Sequence, residues 1–129
     1  MFHVKPDALA RTRLPIRGRH YLEVVVWPDH ATLQEATGHP DATAYWDAPV
    51  TRIWVGADGK TEIKTRRVGT LHFYNDGFGA GVFAHELQHF IQDWIEVGGI
   101  DTTDPEAVPT LAGDLTNKFW NWFYENFAV

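Results

Sequence analysis

Val82-Phe83-Ala84-His85-Glu86-Leu87-Gln88-His89-Phe90-Ile91-Gln92-Asp93-Trp94-Ile95-Glu96-Val97 is the stretch on which the reading of this chain turns. Phe83, Leu87, Phe90, Ile91 and Trp94 recur at helical spacing and fall on one side of a helix over 82–97. At ~100° per residue, His85 and His89 stand ~40° and one turn apart on the opposite side. The apolar stripe buries the helix, and the two imidazoles face a cleft. Gly98-Gly99 stops the helix, and the glycine-rich run from Asn75 to Gly81 connects it to what precedes it.

Working outward, Asp101 to Pro105 reads as a polar loop, followed by a C-terminal helix over 105–127 with Asp104 as its cap and Pro105 in its first turn. Pro109 removes a backbone donor from the early turns and argues for a later start. Leu111, Leu115, Phe119 and Trp122 form one apolar stripe on this helix. Trp120, Phe123 or Tyr124, and Phe127 form another. Such a helix is either covered by the chain's own N-terminal segment or offers an aromatic patch to a second copy, as a homodimer, or to a target protein.

Upstream, Tyr21 to Trp27 is β-branched and aromatic and predicts a buried strand. Asp29 caps a short helix over 31–37, which Gly38 ends. Residues 39–49 read as a loop carrying Tyr45 and Trp46. Arg52 to Val55 and Thr61 to Thr65 flank Asp58-Gly59 as a β-hairpin. Val68 to Tyr74 is a further strand. Residues 1–20 carry a balance of +4 and the rest −10. Bracketed by Pro6 and Pro15, this basic segment reads as an extended arm or short helix that lies on the chain's own acidic surface or on an acidic partner. Together these elements predict an α+β fold in a single domain over 1–129. A small, mostly antiparallel sheet packs on the 82–97 helix and on the C-terminal helix.

Composition removes several functions. With 129 residues and a net charge of −6, the chain does not have the basic balance of a phosphate-tracking nucleic-acid binder. Cys is 0, which excludes disulfides, cysteine metal sites and a thiol nucleophile. Serine is absent too, and the carboxylates are too scattered for glycosidase chemistry. Apolar runs such as Val24 to Trp27 are far too short to span a membrane. Met1 to Pro6 lacks a secretory apolar stretch, so a cytoplasmic setting in a bacterium or phage-infected host cell is expected.

His85-Glu86-Leu87-Gln88-His89 is H-E-x-x-H. One turn apart, two imidazole nitrogens can reach a single Zn²⁺ at ~2.0–2.1 Å. Glu86, ~100° round from His85, is placed to take a proton from a water as a general base. Catalytic zinc keeps three protein ligands and an open position. Glu96 lies ~10 Å up the axis from His89, too far to share the ion, and Asp93 fits a supporting place beside it. A longer motif with Gly at position 92 and His at 95 is not met, because Gln92 and Ile95 stand there. The third ligand is then sought among Asp101, Asp104 and Glu106. On a continuous last helix Glu106 shares a face with Gly113, Asn117 and Tyr124. Gly113 would let that face approach the histidines, which favours Glu106.

H-E-x-x-H followed by Glu106-Ala107 resembles the gluzincin-type zincin metallopeptidases, in which a Glu on a following helix completes the site. The segment from Glu106 to Trp120 is similar to the second helix of small phage and prophage zincin-like proteins of the ImmA/IrrE kind. The resemblance covers about residues 69–127. It implies one Zn²⁺ per chain on His85, His89 and Glu106, and a protein or peptide substrate whose bond is hydrolysed by an activated water with Glu86 as base. It also implies an edge strand that pairs with the extended substrate, for which Val68 to Tyr74 is the candidate. His72, Tyr74 and Tyr124 are candidate oxyanion donors, with Asp93 and Asn117 as further polar residues around the metal. The competing expectation is a metal-binding zincin-like module that binds a host factor without turnover.

Overall fold

A computed structural model describes residues 7–49, 53–59 and 61–127. Ala10–Arg17 forms β1 and His20–Trp27 β2. The helix α1 (His30–Thr37) follows, then β3 (Tyr45–Asp47), β4 (Ile53–Val55), β5 (Thr61–Ile63), β6 (Arg67–Tyr74), α2 (Ala80–Glu96) and α3 (Ala107–Phe127). The α1 caps work as the sequence predicts: Asp29 accepts from the Thr32 N–H at its start, and Gly38 ends it at φ 72°. Asp104 does not cap α3, which begins only at Ala107; its carboxylate accepts from the Glu106 N–H in the turn ahead of the helix. Pro109 does not delay α3. It sits in the first turn, where a backbone N–H has no helical acceptor to lose.

Four strands form one sheet in the order β1-β2-β6-β3, and β4 and β5 form a separate two-stranded hairpin. The fold is thus the expected α+β type. The β1–β2 and β3–β6 pairings are antiparallel, whereas the central β2–β6 pairing is parallel. A parallel pair needs a long crossover, and the crossover here contains α1, β3 and the hairpin.

Strand alternation divides the sheet into two faces. Leu22, Val24, Leu71 and Phe73 join Phe83, Leu87, Phe90, Ile91 and Trp94 of α2 and Leu115 and Phe119 of α3 in the main core. The α2 stripe read from the sequence is therefore its buried face. Phe83 and Phe119 stack at 4.0 Å and lock the two helices together. Val25 and Trp27 point the other way and pack with Leu33 of α1 and with Tyr74.

β3, a three-residue strand inside what reads as a loop, is held by its tryptophan. Trp46 stands opposite Leu71, and its indole covers Gly69 so closely that a Cβ there would lie 2.0 Å from it. Its ring also meets Phe90 at 5.5 Å. β3 is therefore anchored both to the sheet and to α2.

Over its described residues the basic N-terminal segment is extended and not helical; it packs on the chain's own sheet as edge strand β1. Its arginines are spent mainly on aromatic faces of β2, with Arg13 4.6 Å from the Tyr21 ring and Arg11 5.8 Å from Trp27. Arg11 also lies 3.9 Å from Glu23. Pro15, inside β1, offers no N–H, and its carbonyl accepts from Lys118 Nζ of α3 at 2.9 Å. At Pro15 the edge therefore offers neither a donor nor a free carbonyl to a further strand. No helix is long and apolar enough to cross a membrane among the described residues.

His72 gives the fold a pH dependence. Burial holds its pKa down at about 4; Asp47 pulls it up, while Arg11 and Arg67 push it further down. The Trp27 indole N–H donates to His72 Nδ1 at 3.0 Å, which requires a neutral ring. As pH falls from ~6.5 towards 4, the unfolded chain takes up a proton that the folded one refuses, so stability present above ~6.5 is progressively lost. Urea unfolding should show wild type losing ~2–3 kcal/mol more than His72→Gln between pH 7 and pH 4.5. Equal losses would contradict this assignment.

Candidate metal centre

α2 supplies the centre. His85, Glu86 and His89 present ligand atoms that all lie within 4.8 Å of one another, the one such group among the described residues. His85 Nε2 and His89 Nε2 are 3.2 Å apart. Two nitrogens bound tetrahedrally at ~2.05 Å to one ion would be separated by ~3.3 Å, so the pair is already spaced to chelate. The His85 side chain is 70% exposed and Glu86 only 10%, with Glu86 Oε1 3.9 Å from His85 Nε2. Glu86 is the one carboxylate among the described residues that is almost wholly buried. Burial raises its pKa, against the opposing pull of His89 and His85. Such a carboxyl is a stronger base than one in water, and it costs stability unless charge or water meets it.

Two cavities flank Glu86 along β3. One, of about 320 Å³, is lined by Thr43, Ala44, Gly81, Val82, His85 and Glu86. The other, of about 250 Å³, is lined by Ala44, Tyr45, Trp46, Glu86 and His89. Positions 81 to 89 of α2 thus form a groove with the β3 edge, ~12 Å long at 1.5 Å per residue. The lining residues from β3 and from the start of α2 escape a motif reading, because none is a ligand or a base. Tyr45-Trp46 in a polar stretch was the visible trace.

The other expected residues do not converge here. Glu106, Asp101 and Asp104 line a different cavity, of about 460 Å³, with Trp94, Ile100 and Leu111. The reason is topological. α3 runs back along α2, so its first residues lie beside the last turn of α2, and Phe119 reaches its first turn at Phe83. Glu106 is consequently separated from His85 and His89, and it is absent from the ligand group. Gly113 brings no close approach either: it is exposed, and a Cβ there would meet nothing within 4 Å. Asn117 is exposed on α3. Asp93 is half-buried one turn beyond His89, and its carbonyl accepts from the Val97 N–H.

His72 and Tyr74 lie on the sheet face turned away from α2. His72 is stacked on Trp27, and Tyr74 lies 4.8 Å from His30. Tyr124 is 62% exposed beside Trp120. None of the three lines a cavity beside Glu86. Nor is Val68 to Tyr74 an edge: β6 is interior, between β2 and β3, and the edge beside the histidines is β3.

The chain matches no family model, no curated protein and no solved structure. The group on α2 therefore stands on its own geometry. Purified wild-type protein should carry one zinc per chain by elemental analysis. His85→Ala and His89→Ala should each lose it, while Glu106→Ala should keep it. Zinc retained in both histidine variants would rule out this centre.

Proposed function

We propose that the chain is a zinc-dependent peptidase of the zincin kind, hydrolysing a peptide bond in an extended segment of protein. The observation that carries this reading is the buried Glu86 carboxyl beside two histidine nitrogens 3.2 Å apart. The two imidazole nitrogens suit zinc and supply two of the three protein ligands that a catalytic zinc site uses, with His85 and His89 as those ligands. Zinc held there supplies Lewis acidity, polarising a carbonyl and lowering the pKa of a water.

Glu86 does the proton work. Its carboxylate takes a proton from the water that attacks the carbonyl carbon. It returns that proton to the leaving amine as the C–N bond breaks. Burial favours this role twice, by strengthening the base and by fixing its position against β3. The open edge of β3 supports a peptide as substrate, since unpaired main-chain groups there can bond an added strand. The opposite edge is obstructed at Pro15, whose carbonyl Lys118 occupies.

Glu86→Gln separates turnover from binding. The variant should keep its zinc and melt no lower than wild type, because a neutral amide replaces a buried acid. Its peptide hydrolysis should fall by ~10²–10⁴-fold. Unchanged hydrolysis would exclude Glu86 as the base. Stoichiometric zinc without hydrolysis in wild type would leave the centre as a binding site.

A further inference from the structure

The chain between α2 and α3 borders a trough that lies outside the metal centre. Two cavities there, of about 460 and about 320 Å³, share Arg17, Trp94 and Gly99 and so run into one another. They occupy the corner where β1 ends, α2 ends and α3 begins. Trp94 stands five residues past His89, ~7.5 Å along α2 and ~140° round its axis. No residue of the trough lines either cavity beside Glu86.

The floor is apolar and fixed in place. Ile16, Ile100 and Leu111 line the larger cavity, Ile63 and Val97 the smaller, and Trp94 belongs to both. The indole presses on Gly99, where a Cβ would lie 2.1 Å from it. The His20 ring meets the indole edge-on at 6.0 Å, and His20 Nδ1 is in turn 2.9 Å from the Thr65 carbonyl oxygen.

The two ends carry opposite charge. Asp101, Asp104, Glu106 and Asp114 line the larger cavity, whereas Arg17, Arg19 and His20 line the smaller with Glu62. Among the described residues, Lys118 lies 2.8 Å from Asp114, but no cation comes within ion-pair distance of Asp101, Asp104 or Glu106, and neither Arg17 nor Arg19 meets an acid. Asp101 and Asp104 accept from Thr103 and from the Glu106 N–H, neutral donors that leave the negative charge in place. Three acids and two arginines thus share one apolar trough without neutralising one another. A compact cation would answer only one end. An extended chain with opposite charges at its two ends answers both and lays an apolar side chain on the floor between them.

We infer that this trough docks an extended segment of a partner protein that carries Arg or Lys at one end, Asp or Glu at the other and an apolar residue between. The trough is open to solvent, so each ion pair formed in it is weak and screened by salt. The site goes beyond the peptidase reading and does not depend on it, because the body of α2 separates the trough from His85 and His89.

The test is fluorescence anisotropy at low salt with the full chain and a labelled decapeptide holding two arginines near one end, a central leucine and two glutamates near the other, made in both orders. One order should bind wild type saturably and weaken in ~0.3 M salt. Asp104→Asn/Glu106→Gln and Arg17→Gln/Arg19→Gln should each weaken it by ~5-fold or more. All four side chains are exposed, so these variants should keep the fold. Asp41→Asn/Glu125→Gln removes the same charge from exposed positions outside the trough and should leave binding unchanged. So should His85→Ala, with or without zinc. Serine in place of the peptide's leucine should weaken binding ~3-fold or more. No saturable binding, or an equal loss in Asp41→Asn/Glu125→Gln, overturns the inference, as the second outcome would reflect net charge alone. Displacement by equimolar spermidine would make the trough a polyamine site. A wild-type dimer in sedimentation that Asp104→Asn/Glu106→Gln abolishes would assign it to a second copy. Either result overturns the partner-segment reading and leaves the peptidase reading standing.

Discussion

Trp46 packed against Gly69 is the contact on which the site depends. β3 has only three residues, too few to hold a place at a sheet edge through backbone bonds alone. The indole fills the space left where β6 has no side chain, and its ring continues to Phe90 on the buried side of α2. One side chain thereby fixes the spacing between sheet edge and motif helix. A methyl group at position 69 would push the indole away and with it one wall of the groove.

The centre combines two environments that usually exclude one another. The histidines face water, where a metal can reach them and solvent can exchange. Glu86, one residue along the same helix, turns inward against Ala44 and Trp46. The ~100° step between neighbours on a helix produces this contrast without any special backbone geometry. The motif therefore encodes two exposed histidines and one sheltered carboxyl through helical rotation alone. The fold's contribution is to lay a strand along the sheltered side.

Much of this was legible in the sequence, and the misses have physical causes. α2, its buried stripe and its paired histidines follow from a period of 3.6. The limits of α1 follow from Asp29 and Gly38, which supply a side-chain acceptor and a left-handed turn. Strand order was not legible, because the local pattern of β6 records burial and not which strands flank it. β3 was hidden because two aromatics among turn residues carry too short an alternation. Glu106 shares a helix face with Asn117 and Tyr124, but facing does not give height along the partner helix. In an antiparallel helix pair, the start of the second helix belongs to the end of the first. Pro109 misled because a proline's cost depends on its position, and the first turn tolerates it.

The unequal edges of the sheet have a consequence for assembly. Repeated strand addition, as in a growing fibre, needs each unit to offer one receptive edge and present another. With Pro15 and Lys118 obstructing part of the β1 side, the four-stranded sheet is most open at β3. Two copies joined there would form a closed pair, each occluding the other's groove.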